Sequence, residues 1–461
     1  MSDVRDLLHQ TADLAGDFLE SLDERPVFPQ VEVDELRAAL GGPLPDGPSD
    51  PRDVVAALAA AADAGLVGMA GGRYFGFVIG GGVPAALAAD WLASAWDQNA
   101  GLYVGGPAAS VVEEIARGWL TELLGLPRHV SVAFVTGCQM AHVTALAAAR
   151  HHVLQEVGWD VERDGLAGSP PIRVVAGTKR HITIERALRL LGLGAGSVVE
   201  VPADAQGRMQ SEALADALGA VEGPTIVCAQ AGEVNTGSFD PLPEIADAAA
   251  EAGAWLHVDG AFGMWAAASP KLRHLVAGIE RADSWATDAH KWLNVPYDSG
   301  IAFCRHPESH RGAFAARAAY LVYGEAGTVR DQEEWTPEFS RRARGFPVYA
   351  ALRSLGRTGV AELVERCCRH ARRFADELSR LPDVELLNDV VLNQALFRFD
   401  SDERTREILR RVQDSGVAWM GGTTWDGRAA IRISVSNWQT SDDDVERTLA
   451  EFERAAAAYS I

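Results

Sequence analysis

Asp259 closes the apolar run Ala254-Trp255-Leu256-His257-Val258, and the later run Thr287-Asp288-Ala289-His290-Lys291-Trp292 ends a second apolar stretch with a histidine–lysine pair. A lysine amine condenses with an aldehyde to form a Schiff base. A carboxylate paired with a pyridine nitrogen keeps that nitrogen protonated, so that the ring acts as an electron sink. An acid at one strand end and a histidine–lysine pair at the next are therefore the arrangement a pyridoxal phosphate enzyme needs. An arbitrary Asp–Lys pair is more often a surface ion pair, but the sequence around this one favours the chemistry. Only three of the 42 basic residues are lysines. The arginine excess is equally a mark of a GC-rich genome, so scarcity alone does not single out Lys291.

Other positions fit the same chemistry. Thr136-Gly137-Cys138-Gln139 lies between an apolar strand and a helix, where backbone N–H groups, a hydroxyl and a helix N-terminus suit a phosphate dianion. The alternative there is a plain strand–helix turn. His181 opens a helix with Thr183 and Glu185 nearby, as either a functional or a helix-start histidine, and Asn235-Thr236-Gly237 follows a strand as a site or only as a turn.

The elements that must position these residues alternate. Strands are expected at 131–135, 172–176, 197–201, 225–230, 254–258, 284–287 and 299–304, with helices at 108–124, 139–156 and 182–192 between them. Short buried strands alternating with helices indicate a mainly parallel sheet covered on both faces, whose ligands sit beyond the carboxyl ends of the strands. Thr136, Asp259 and Lys291 all fall there. Residues 3–22 carry a helical apolar spacing and lead into a turn-rich stretch, which reads as an arm packed on a partner subunit. A long helix is expected at 346–380, strands at 392–399 and 429–435, and a last helix at 441–458. The division expected is an arm and dimerisation segment at 1–75, a large cofactor domain at 76–340 and a smaller α+β domain at 341–461.

The formal charge is −22, which argues against nucleic acid or an anionic membrane as partner. The five cysteines fit no zinc spacing and no metal is expected. The first residues lack a signal-peptide pattern and no long uncharged apolar run appears, so a cytoplasmic protein with reduced thiols is expected.

At this point the chain resembles the group II pyridoxal phosphate-dependent amino acid decarboxylases, which include aromatic amino acid and glutamate decarboxylases. The resemblance rests on RYFGF at 73–77, Pro107, VVEE at 111–114, FVTGCQMAHVTALAAAR at 134–150, HITIERA at 181–187, NTGSFDP at 235–241, WLHVDGAFG at 255–263, TDAHKWL at 287–293, WTPEFSRRARG at 335–345 and IRISVSN at 431–437, all in the family's order. It implies an α/β, aspartate aminotransferase-like (fold type I) structure, a homodimer, and decarboxylation of an L-amino acid to the amine and carbon dioxide. By the resemblance Lys291 is the Schiff-base lysine, with Asp288 and His290 beside it. Asp259 binds the pyridine nitrogen, Ala261 and His181 take the two ring faces, and Thr136, Gly137 and Cys138 hold the phosphate. Thr236 lies toward the ring hydroxyl. Arg432 is a candidate for the substrate carboxylate or else a structural arginine. Phe75, Phe77 and Tyr103 either line the substrate pocket or pack in the core.

The pattern also departs from the family. The aromatic decarboxylases carry a loop tyrosine, three residues before the tryptophan matching Trp335, that protonates Cα. Here that position is Gln332, and a glutamine amide is a poor acid. Either another group, such as His181 or Tyr323, supplies the proton, or the carbanion meets oxygen and the product is an aldehyde. Gly71-Gly72 stands where many members have His-Pro, and Cys138 and His142 replace a small residue and an asparagine. An aminotransferase, which would form a keto acid with an acceptor, and a non-catalytic scaffold, which would show no absorbance change with amino acids, are the remaining alternatives.

Overall fold

A computed structural model describes residues 2–316, 318, 320–324 and 328–459. The chain forms two compact units. The first comprises residues 1–79, 372–387 and 395–461; the second comprises 80–371 and 388–394.

The second unit is built on a seven-stranded sheet. Its strands are β1 (Ser131–Val135), β2 (Arg173–Gly177), β3 (Val198–Val201), β4 (Thr225–Gln230), β5 (Trp255–Asp259), β6 (Ser284–Asp288) and β7 (Gly300–Cys304), in the order β1-β7-β6-β5-β4-β2-β3. Pairs β2–β3, β2–β4, β4–β5 and β5–β6 are parallel. β7 runs antiparallel to both neighbours, β1 and β6. Every residue of β1, β4, β5, β6 and β7 is buried, which is why these strands read as unbroken apolar runs rather than alternating ones. Helix Cys138–Gln155 is buried over most of its surface, through Ala141, Ala145, Leu146, Ala148 and Leu154. Leu146 and Leu154 join Val174, Ile184, Leu188 and Ile226 in one cluster. Each such side chain contributes about 1.5–3 kcal/mol on burial.

The first unit holds a four-stranded sheet, β8 (Val384–Leu386), β9 (Gln394–Phe399), β10 (Gly421–Trp425) and β11 (Arg428–Ser434), in the order β10-β11-β9-β8. Two of these strands, β8 and β10, are not expected from the sequence. β10, Gly-Gly-Thr-Thr-Trp, lacks an apolar alternation, and its hairpin partner supplies the pairing. The two-residue turn Asp426-Gly427 has positive φ at both positions (46° and 78°), the hairpin chemistry that matches strand twist. The turn-rich stretch after residue 25 also contains a helix, Val33–Leu40. The next helix starts at Pro51, where the Asp50 side chain accepts the Arg52 N–H at its N-terminus. The helix expected at 346–380 spans Gly345–Leu378 but breaks at Gly356 (φ 61°, ψ 178°). Among the described residues no helix is long and apolar enough to cross a membrane.

Candidate active site

The parallel strands deliver their carboxyl ends to one edge of the sheet. Thr136 follows β1, His181 follows β2, Thr236 follows β4, Asp259 ends β5, and Asp288 ends β6 with His290 and Lys291 just beyond. Because β7 is reversed, its first residues reach the same edge.

Lys291 Nζ lies 2.9 Å from Asp288 Oδ2, and its side chain is 22% exposed. The other Asp288 oxygen, Oδ1, accepts the Cys138 N–H at 2.6 Å and faces His290 Nε2 at 3.3 Å. The Asp288 backbone is fixed in turn: its N–H donates to the Ala261 carbonyl, and its own carbonyl accepts the Trp265 indole N–H at 3.1 Å. Burial alone would push the Lys291 amine down, but Asp288 foremost, with Cys138 and Asp259, outweighs it and holds the amine above its ordinary value.

His290 Nδ1 accepts the Ser299 N–H at 3.1 Å, so a neutral ring carries its proton on Nε2, toward Asp288. Burial pushes His290 below its ordinary value, which favours that neutral form. Tyr297 stacks on it, centroids 4.2 Å apart.

Asp259 is 6% exposed. Its Oδ1 accepts the Ala261 N–H at 3.1 Å and its Oδ2 lies 3.5 Å from His142 Nε2. Burial opposes its charged form, but His142 first, then His181 and Lys291, more than compensate and hold the carboxyl below its usual range. Cys138 Sγ, His142 and Asp259 bring one ligand atom each within 4.8 Å of one another. A metal there would use the Asp259 carboxylate itself.

The close approach of backbone explains two glycines. A Cβ on Gly300 would meet Gly137 backbone atoms at 2.3–2.7 Å, and one on Gly80 would meet the Lys291 carbonyl oxygen at 2.2 Å. The loop after β1 is thus pressed against β7, and residues 80–81 against the lysine loop, where Gly81 N–H donates to Asn294 Oδ1.

His181 caps the helix Ile182–Leu190, its Nδ1 lying 2.7 Å from the Thr183 hydroxyl. The Thr236 hydroxyl is engaged by the Gln206 carbonyl at 2.7 Å and, within its own turn, by Ser238 Oγ at 3.0 Å. The Tyr103 N–H donates to Asp331 Oδ1 at 2.8 Å. Gln332 is buried in the short turn Gln332–Trp335 and its Nε2 has no hydrogen-bond partner among the described residues. The Tyr323 hydroxyl donates to the Ala316 carbonyl and accepts the Ala318 N–H. Phe75 and Arg432 belong to the first unit. Phe75 packs edge-on against Phe374, and Arg432 donates to the Phe77 carbonyl at 3.1 Å.

His257, Ser284 and Tyr297 are neighbours of the site beyond those expected from the sequence. His257 had a signal: it is two residues before Asp259 on the same strand, hence on the same face.

A family profile described as "Pyridoxal-dependent decarboxylase conserved domain" matches residues 73–400. Tryptophan decarboxylase 1 of Oryza sativa subsp. japonica is 29% identical over 474 residues, covering 94% of this chain and 90% of the relative. Phenylacetaldehyde synthase of Arabidopsis thaliana is 24% identical over 465 residues, covering 96% and 94%. The crystal structure of Oryza sativa TDC with PLP and tryptamine superposes with a TM-score of 0.93 at 26% identity, covering 100% of this chain and 98% of the other. The chain belongs to the pyridoxal-dependent decarboxylase family. It has the fold type I architecture, takes pyridoxal phosphate as cofactor and is an amino acid decarboxylase, a lyase. The residues at the sheet edge fit that cofactor: an accessible lysine amine matches its aldehyde, a shielded carboxylate its ring nitrogen, and a helix N-terminus after β1 its phosphate.

Proposed function

We propose that this enzyme removes the α-carboxylate of a free L-amino acid and releases the amine, with Lys291 as the residue that captures the cofactor aldehyde. The observation that carries the reading is the convergence of Asp259 at the end of β5 and Lys291 after β6, each held by its own buried hydrogen bonds. Bound pyridoxal phosphate supplies a ring that accepts the electron pair left at Cα when carbon dioxide departs. Asp259, kept ionised, would pair with the ring nitrogen and so hold it protonated. Thr136, Gly137 and Cys138 would hold the phosphate, with Cys138's N–H also serving Asp288. His290 would stand beside them as a neutral donor. His181 and Ala261 would bound the ring faces, and Thr236 would lie toward its hydroxyl. The proposed roles of Phe75, Tyr103 and Arg432 toward the substrate rest on the resemblance alone.

A second reading keeps the same residues and changes the product. Gln332 stands where the resemblance expects a proton-donating tyrosine, and one relative is named an aldehyde synthase. Dioxygen would then take up the electron pair left at Cα and leave as hydrogen peroxide, and water would hydrolyse the oxidised product to an aldehyde and ammonia. Mass spectrometry of products from the cofactor-loaded protein, given a pool of L-amino acids in air, separates the two. An amine names the substrate and supports the first reading, an aldehyde with ammonia the second, and neither product from any amino acid would sink both.

We also propose a homodimer. The helix of the arm exposes Val4 and Leu8, and in the second unit Trp91, Leu92, Trp96, Val111 and Ile115 are exposed apolar residues that a second copy would cover. A monomeric mass by light scattering would contradict this. Among the described residues no disulfide joins the cysteines, which accords with a reducing compartment such as the cytoplasm; recovery of the native protein in an oxidising extracellular fraction would contradict that placement.

A further inference from the structure

Behind Asp259 runs a buried chain of hydrogen bonds that the reaction as proposed does not use. His142 Nε2 faces Asp259 Oδ2 at 3.5 Å. His142 Nδ1 lies 2.9 Å from His257 Nε2. His257 Nδ1 lies 2.9 Å from Ser284 Oγ, and the Trp255 indole N–H donates to that same oxygen at 2.9 Å. His142, His257 and Ser284 are each 0% exposed. The spacing builds the chain. Cys138 and His142 are four apart on one helix face, and Trp255, His257 and Asp259 alternate onto one face of β5. Ser284 opens the neighbouring strand β6, where His257 is its register partner.

The donors order themselves in one direction. The Trp255 N–H donates to one lone pair of Ser284 Oγ, and an ionised Asp259 can only accept, so in the direction that Asp259 sets the Ser284 proton turns to His257 Nδ1. His257 then carries its proton on Nε2 and donates to His142 Nδ1. His142 therefore presents an N–H at Nε2 to Asp259. Burial, with the neighbouring His142, pushes His257 down to about 3, in keeping with a neutral middle member. Asp259 thus has a backbone N–H on Oδ1 and an imidazole N–H on Oδ2. The imidazole contact, at 3.5 Å, is longer than a charge-assisted hydrogen bond and acts through the N–H dipole, and the same Nε2 lies 3.4 Å from Cys138 Sγ.

We propose that His142, held in place by His257 and Ser284, is a positioning residue that fixes Asp259 Oδ2 and keeps that carboxylate anionic, so that the cofactor ring stays protonated during the reaction. This rests on the placement of Asp259 at the ring nitrogen proposed above.

The test uses the holoenzyme loaded with cofactor carrying ¹⁵N at the ring position. The ring ¹⁵N shift, the absorbance spectrum, kcat and KM are recorded for the wild type and for His142→Leu, His142→Asn, Ser284→Ala and Asp259→Asn. In His142→Leu the ¹⁵N signal is expected to move toward the unprotonated value, with kcat lower by about tenfold or more and KM within about twofold. His142→Asn keeps a donor and is expected to recover most of both. A wild-type ¹⁵N signal in His142→Leu overturns the proposal whatever its activity. Where His142→Leu does not retain cofactor, Ser284→Ala decides: a partial shift supports the chain and an unchanged signal overturns it. Asp259→Asn is the reference. If its ¹⁵N signal equals that of the wild type, the placement of Asp259 has failed; if it shifts while the His142 and Ser284 variants do not, only the chain behind it has failed.

Discussion

Asp288 and Lys291 form a 2.9 Å ion pair just beyond β6, and the same carboxylate caps the helix that begins at Cys138. One side chain therefore joins the lysine loop to the loop after β1, and it stores the lysine as an ammonium until cofactor arrives.

Capture of an aldehyde requires the neutral amine. Because Asp288 holds Lys291 above its ordinary value of 10.5, the neutral fraction rises about tenfold per pH unit between pH 7 and 9. Cofactor uptake by the apoprotein, followed by absorbance, is expected to rise with that slope and show no plateau. Asp288→Asn removes the closest opposing charge and is expected to speed uptake at pH 7 by about tenfold or more. Slower uptake at every pH would mean that the carboxylate matters mainly as the helix cap.

Gln332 is 3% exposed and its Nε2 has no partner among the described residues. Gln332→Met keeps the length and removes the stranded donor, so the folded state should gain roughly 1 kcal/mol. Gln332→Tyr must fit a ring into the same space and should cost about 1–3 kcal/mol. Thermal midpoints check both signs; a drop with Met would show that the amide does find a partner.

The guanidinium of Arg341 is buried with Glu113 at 2.8 Å, and it also donates to the carbonyls of Ala100 and Phe134. Glu113→Ala leaves that charge without its counter-ion and is expected to cost about 3–5 kcal/mol, read from the urea midpoint. Loss of less than about 1 kcal/mol would show that the carbonyls suffice.

His310 is buried between the Ser131 hydroxyl and the Trp335 carbonyl, and burial, then Arg330, pushes it down to about 3. Its folded value is below the unfolded one of about 6.5. The unfolded chain therefore binds the extra proton first, and stability is lost as pH falls from about 6.5 toward 3. At pH 5 the loss from this group is about 2 kcal/mol. Asp240, pushed up to about 7 by burial, works in the opposite direction, so the comparison must be with a variant at the same pH. The difference in stability between wild type and His310→Gln should shift in favour of the variant by that amount between pH 7 and pH 5. A constant difference would mean that His310 binds its proton equally in the folded and unfolded chain, so that its folded value is close to the ordinary one.

β1, β4, β5, β6 and β7 were legible because each is buried on both faces and so is written as a short, largely apolar run ended by a polar or glycine residue; Asp259, Thr136 and Lys291 stand out at those ends. β10 was not legible, since Gly421-Gly422-Thr423-Thr424 pairs through backbone and a turn rather than through an apolar face. Tyr297 on His290 was not legible either, because a seven-residue separation in an irregular loop has no periodicity to read. Asp288 was visible only as a neighbour of the lysine; that its carboxylate also caps the Cys138 helix is a contact between residues 150 apart, which nothing in local pattern encodes.

The reversal of β7 has a consequence for how the site is assembled during folding. Residues 288 and 300 are register partners in an antiparallel pair, so the loop that carries His290 and Lys291 is closed by its own two strands at small entropic cost. Asp259 pairs across a parallel junction and Thr136 waits for β1 to find β7, contacts of much greater separation along the chain. The lysine loop can therefore take shape before the rest of its surroundings, and the chain should gain the power to retain cofactor only in the last slow step of refolding. A stopped-flow refolding trace that follows intrinsic fluorescence and cofactor absorbance together would show the second lagging the first.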